Sequence, residues 1–141
     1  MIKKILPGFL LLASQSLAAN DAVLSISDAW VREPPPGSRM ISAYLSIENH
    51  SSIPRTLLEV SSTEFSHVML HKSEVIKGIA KMSHVNKLEI PANGIVKLSP
   101  GSFHLMMPAP DRFINEGMVI PFILSFDQNT SISIEAKVVK P

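Results

Sequence analysis

Apolar and polar residues alternate in short runs along most of the chain, and clusters of Pro, Gly, Ser and Asn separate the runs. A period of two bounded by turn formers predicts β-strands. The runs fall at residues 23–26, 29–32, 40–48, 56–61 and 67–76, then at 79–85, 87–90, 95–98, 103–107, 118–126 and 131–139. No sustained helical period competes with them. Many short strands at this spacing predict an all-β domain, an antiparallel sandwich or barrel. No internal repeat, low-complexity tract or linker divides it.

Strand parity sorts the side chains. In the run from Phe103 to Met107, Phe103, Leu105 and Met107 fall on one face and His104 and Met106 on the other. The apolar trio predicts the core face, which sends His104 and Met106 outward or to the rim. If Lys77-Gly78 is a two-residue turn, His71 lies opposite His84, with Met82 as its diagonal neighbour. Leu70 and Val85 then meet on the core side, and Met69, His71, Met82 and His84 share the opposite face. A slip of one residue in the turn would reverse the strand that follows it.

The amino terminus changes the class of protein. Lys3 and Lys4 precede a short apolar stretch from Ile5 to Ala13, and Ser16-Leu17-Ala18 supplies small residues at a cleavage site. Residues 1–19 therefore read as a secretory signal peptide and 20–141 as a single domain, exported and periplasmic. The apolar stretch is shorter than the roughly 20 residues a bilayer span requires, and no later segment is long and uncharged enough, so no membrane span is expected. A lipid-anchoring cysteine is lacking, because the chain contains no cysteine at all.

That zero count also excludes disulfides, thiolate metal sites, blue copper and a cysteine nucleophile. With 13 Lys and Arg against 12 Asp and Glu, the formal charge of +1 makes no basic stripe, and no nucleic-acid partner is expected. Nor does a nucleophile elbow or an H-E-x-x-H pattern point to an enzyme. The chemistry instead gathers in one window. His67, His71, His84 and His104 lie between residues 67 and 107, together with Met69, Met82, Met106 and Met107. Imidazole with thioether, and few carboxylates nearby, suits Cu(I) better than a hard ion.

The spacing His71, ten residues, Met82, twenty-one residues, His104-Leu105-Met106 resembles the H-x10-M-x21-H-x-M signature of the periplasmic PCuAC-type copper chaperones. Ser27-Asp28-Ala29-Trp30-Val31-Arg32, Pro35-Pro36-Gly37, Ala43-Tyr44-Leu45, Leu88-Glu89-Ile90-Pro91-Ala92 and the run from Pro100 to Met106 are similar to landmarks of the same family. The resemblance implies a cupredoxin-like antiparallel β-sandwich that binds one Cu(I) per chain through His71, Met82, His104 and Met106. It also implies delivery of copper for cytochrome c oxidase assembly, with an oxidase subunit or a Sco-type protein as the copper-acceptor partner. A His/Met-rich tail for a second, oxidised copper, present in some members, is not matched by the ending Glu135-Ala136-Lys137-Val138-Val139-Lys140-Pro141.

Other residues read more plainly. Met40, Met107 and Met118 are expected in packing, His50 on the surface or hydrogen-bonded, and Trp30 in packing. His67, His84 and Met69 lie near the site but outside the family spacing. The competing function is an extracytoplasmic interaction sandwich, or a copper-storage or resistance protein without a delivery role.

Overall fold

The computed structural model describes residues 23–141, so the expected signal peptide at 1–19 lies outside the described residues. Ten strands follow in chain order: β1 (Leu24–Arg32), β2 (Met40–Asn49), β3 (Arg55–Ser61), β4 (Met69–Ile76), β5 (Ile79–His84), β6 (Leu88–Ile90), β7 (Ile95–Leu98), β8 (Phe103–Pro108), β9 (Val119–Phe126) and β10 (Thr130–Val139). Their hydrogen-bonded order is β5-β4-β8-β2-β1-β10-β9-β3-β6, with β7 also paired to β2. All pairings are antiparallel except that of β1 with β10. The fold is thus the expected all-β, cupredoxin-like architecture, and the parallel contact between its first and last strands is the exception to the antiparallel rule.

The inward faces follow the period of two. Ile41, Ala43, Leu45 and Ile47 of β2 are buried, as are Ile120, Phe122, Leu124 and Phe126 of β9 and Leu105 and Met107 of β8, and together they belong to one core cluster. Two runs expected at 23–26 and 29–32 are one strand, β1. Its register against β2 shifts between Ser27 and Trp30, and Asp28 takes a φ of 53°. A bulge there lets the alternation restart without ending the strand.

Buried polar side chains tie β6 back to β2 and β3 to the turn between β9 and β10. Asn49, 0% exposed, donates from Nδ2 to the carbonyls of Ile53, Ile90 and Pro91, at 2.8, 3.1 and 3.1 Å, and so ties β2 to the end of β6. Arg55 of β3 donates from Nε to Asp127 Oδ1 at 2.7 Å and from Nη2 to the Asp127 carbonyl and Thr130 Oγ1. Each group satisfies donors that burial would otherwise strand at a cost of about 1–3 kcal/mol.

One of the plain expectations needs correction. Met40 opens β2 at 36% exposure and is not a core residue, because its side chain precedes the first inward position, Ile41. Met118 packs against the core only partly buried. Met107, at 0% exposed, lies where parity puts it. Met107→Ala should therefore lower the unfolding free energy by about 2–5 kcal/mol, read from urea denaturation; a loss below about 1 kcal/mol would show that the side chain carries no core packing.

Candidate metal centre on the outer face of β4

The sequence brings β4 and β5 together through the turn at Lys77-Gly78. Both residues are left-handed, with φ of 51° and 79°, as a type I′ hairpin turn demands. That turn sets His71 opposite His84, Ser73 opposite Met82 and Ile76 opposite Ile79, the expected register. On its other side β4 pairs with β8, which places His71 opposite His104, Met69 opposite Met106 and Leu70 opposite Leu105. Leu70 and Leu105 are buried in the core. The neighbours at 69, 71, 104 and 106 therefore point the other way.

Three imidazoles result in one row across three strands. The His71 ring centroid stands 5.7 Å from that of His84 and 5.9 Å from that of His104, with interplanar angles of 88° and 76°. Methionines flank the row: Met106 two residues along β8 from His104, Met69 across from it, and Met82 two residues along β5 from His84. The structure thus gathers His71, His104 and Met106 tightly and places Met82 on the same face, one strand out and one rung along. Met82 is 54% exposed.

One expectation is only half right. His104 does occupy the outer face, but it is 4% exposed. Tyr44 follows Ala43, the partner of Leu105, and so shares the outer face with His104; it is itself buried and stacks on Trp30 at 4.6 Å between centroids. The outer face carries its own small aromatic cover. Parity assigns a face but not what lies over it, and the bulge in β1 kept Trp30 out of register with the earlier residues of its strand.

Ring nitrogens are available to a metal. His104 Nδ1 lies 3.1 Å from the Ser102 carbonyl, which can only accept, so Nδ1 carries a hydrogen and Nε2 is the nitrogen through which the ring would bind a metal. His71 Nδ1 is buried with no hydrogen-bond partner. Burial is the chief cause that holds the His71 imidazole below its ordinary pKa of 6.5, and the neighbouring His104 and His84 act in the same direction. His71 is therefore neutral at pH 7, the form that binds metal.

Among the described residues, the outward positions of β4, β5 and β8 include no carboxylate. Lys72 and Glu74 of β4 alternate to the opposite side, where Lys72 pairs with Glu74 and lies over Phe103. Among the described residues, no three His, Asp or Glu side chains are placed to hold a metal ion by themselves. A metal here must draw on thioether sulfur. The remaining histidines have other surroundings: His50 is exposed and bonded to Ser25 Oγ at 2.9 Å, and His67 is exposed with Nδ1 near Ser66 Oγ.

A ten-strand sandwich with imidazoles and thioethers on the outer face of three adjacent strands is the PCuAC type of domain. The chain belongs to the PCuAC-related LpqE-like family, whose model, described as "Putative lipoprotein LpqE-like", matches residues 24–138. A protein of Leifsonia xyli subsp. xyli, "Putative lipoprotein Lxx21020", is 25% identical over 82% of this chain and 69% of its own length. Among solved structures, the copper-bound PCuAC domain from PmoF2 superposes with a TM-score of 0.70 and 23% identity, over 84% of this chain and 94% of that one. The Cu(I) form of DR1885 from Deinococcus radiodurans superposes with a TM-score of 0.67 and 26% identity, over 91% and 85%.

The His71 environment has a consequence for pH. Its folded pKa lies below the unfolded value, so the unfolded chain binds the extra proton first, and the stability gained by keeping His71 neutral is present above about pH 6.5 and lost as the pH falls through the folded value. In the metal-free protein, an NMR titration of the His71 ring protons should give a midpoint below 6.5. A midpoint at or above 6.5 would refute the account of burial and like-charge neighbours.

Proposed function

We propose that the protein is an exported Cu(I) carrier that binds one ion per chain through His71, Met82, His104 and Met106 and yields it to an acceptor by ligand exchange. The observation that carries this reading is that His71 and His104 stand ring to ring beside thioethers, with no carboxylate among the outward residues of β4, β5 and β8. Neutral nitrogen and soft sulfur favour monovalent copper over harder or divalent ions. Thioethers need no deprotonation and are weaker donors than thiolates, so the ion is held without being trapped.

Each residue has a part. His104, nearly buried and oriented by the Ser102 carbonyl, is the fixed donor. His71 supplies the second imidazole from the next strand. Met106 lies two residues along β8 from His104, and Met82, exposed on the outer strand two residues from His84, joins the set from the other side of His71. The copper-bound form of the PmoF2 domain and the Cu(I) form of DR1885 support the same cargo here. The leader-like amino terminus and the lipoprotein relatives support an extracytoplasmic, periplasmic location. The family spacing favours cytochrome c oxidase assembly as the destination, with an oxidase subunit or a Sco-type protein as acceptor.

X-ray absorption on the Cu(I)-loaded protein tests the donor set, and the expected environment is two imidazole nitrogens with two thioether sulfurs around one copper. Met106→Ala and Met82→Ala should each weaken Cu(I) binding by roughly tenfold or more in competition with a Cu(I) chelator, about 1.4 kcal/mol of lost affinity. Wild-type affinity in both variants, or a wild-type protein that retains no Cu(I), would overturn the reading.

A further inference from the structure

His84 is not needed to fill the four-donor set, yet it occupies the same row. The outer face has a local symmetry: a half-turn about His71 in the plane of the sheet exchanges His104 with His84 and Met106 with Met82. The β8 strand presents His104-x-Met106 to one side of His71, and β5 presents Met82-x-His84 to the other in the reverse sense. The two ring separations from His71 are nearly equal, 5.9 and 5.7 Å.

The two halves differ in exposure. His104 is 4% exposed, whereas all six residues of β5 are exposed and the strand forms one end of the hydrogen-bonded path. From this asymmetry we infer that His84 is the exit ligand: Cu(I), once held by His71 and His104, passes to His71, His84 and Met82 on the open edge strand before an acceptor takes it. The inference rests on the copper-carrier reading. In the step, a bond from copper to an imidazole nitrogen of His84 forms as the bonds to His104 and Met106 break, while those to His71 and Met82 are kept. Copper stays monovalent, and no electron or proton is transferred.

His71 suits the pivot. It is common to both halves, and its Nδ1 has no hydrogen-bond partner to hold the ring toward either one. Cu(I), with a filled d shell, accepts three- and four-donor arrangements alike, so adding one imidazole before another departs avoids a bare intermediate. A carrier with only the buried half would have to open around His104 before any acceptor donor could reach the ion. The edge-strand half removes that requirement.

The test compares rate with affinity in the full chain, with bicinchoninate as the copper acceptor. His84→Ala should slow stopped-flow transfer of Cu(I) to bicinchoninate about tenfold, while the equilibrium affinity changes by less than about threefold. His84→Met, which restores a soft donor at the same place, should recover most of the rate, as a merely structural role for the imidazole would not. Transfer at the wild-type rate in His84→Ala would overturn the inference, and so would a His84→Met variant as slow as His84→Ala. A loss of affinity in His84→Ala as large as that in His71→Ala would overturn it too, by making His84 a resident ligand. Failure of the wild-type protein to bind Cu(I) at all would instead refute the carrier reading itself.

Discussion

The outer face depends on the register of β4 against its two neighbours. Side chains alternate strictly along a strand, so a one-residue slip would carry a whole set of donors to the opposite face. The two registers are held by different means. Between β4 and β8, Leu70 and Leu105 face each other in the core, and any slip would expose them. Between β4 and β5 the anchor lies just past the strand: β5 itself buries nothing, but Val85 packs against the core and donates its N–H to the Leu70 carbonyl at 2.9 Å. The register of β5 rests also on the left-handed pair Lys77-Gly78 and on the backbone hydrogen bonds of the hairpin. The half of the site on β8 is therefore tied to the most stable part of the fold, and the half on β5 to one of the least protected.

That difference suits a site that must both hold and release. A donor such as His104, buried and oriented through its Nδ1 hydrogen, loses little freedom when it binds an ion. A donor such as Met82, on an exposed strand, can depart without disturbing any core packing. The electrostatics point the same way. The outward residues of β4, β5 and β8 include no carboxylate. A donor set without anionic ligands favours the lower charge state of a bound metal.

Much of this was legible from the residues alone, for specific reasons. Strand alternation placed Leu105 and Met107 inward and His104 and Met106 outward, since the period of two is a property of the extended backbone. The His71–His84 pairing followed from Lys77-Gly78, because a two-residue turn fixes register. The burial of His104 was not legible: β8 lies between β4 and β2, strands distant in sequence, and parity along one strand does not say what flanks it. Nor was the continuity of β1, as Ser27 and Asp28 break the alternation and signal a turn where the chain makes a bulge. Met40 was misplaced because a methionine at the mouth of a strand has the composition of a core residue but not its position.

The placement of donors on an edge strand has a cost that the sequence offsets. An exposed outer strand offers unpaired backbone groups to other chains and invites edge-to-edge pairing. Here β5 carries Ile79 and Met82 in the open, with Val75 and Ile76 beside them on β4. Against that stand Lys77 in the turn and Lys81 in the strand, and lysine at an edge opposes pairing with a second copy through charge and through the entropy of a long side chain. A central strand would avoid the hazard, but its outer residues would sit between two neighbours, as His104 does. Access for an acceptor requires an edge, and the lysines are what let an edge carry soft, apolar donors without becoming a template for aggregation.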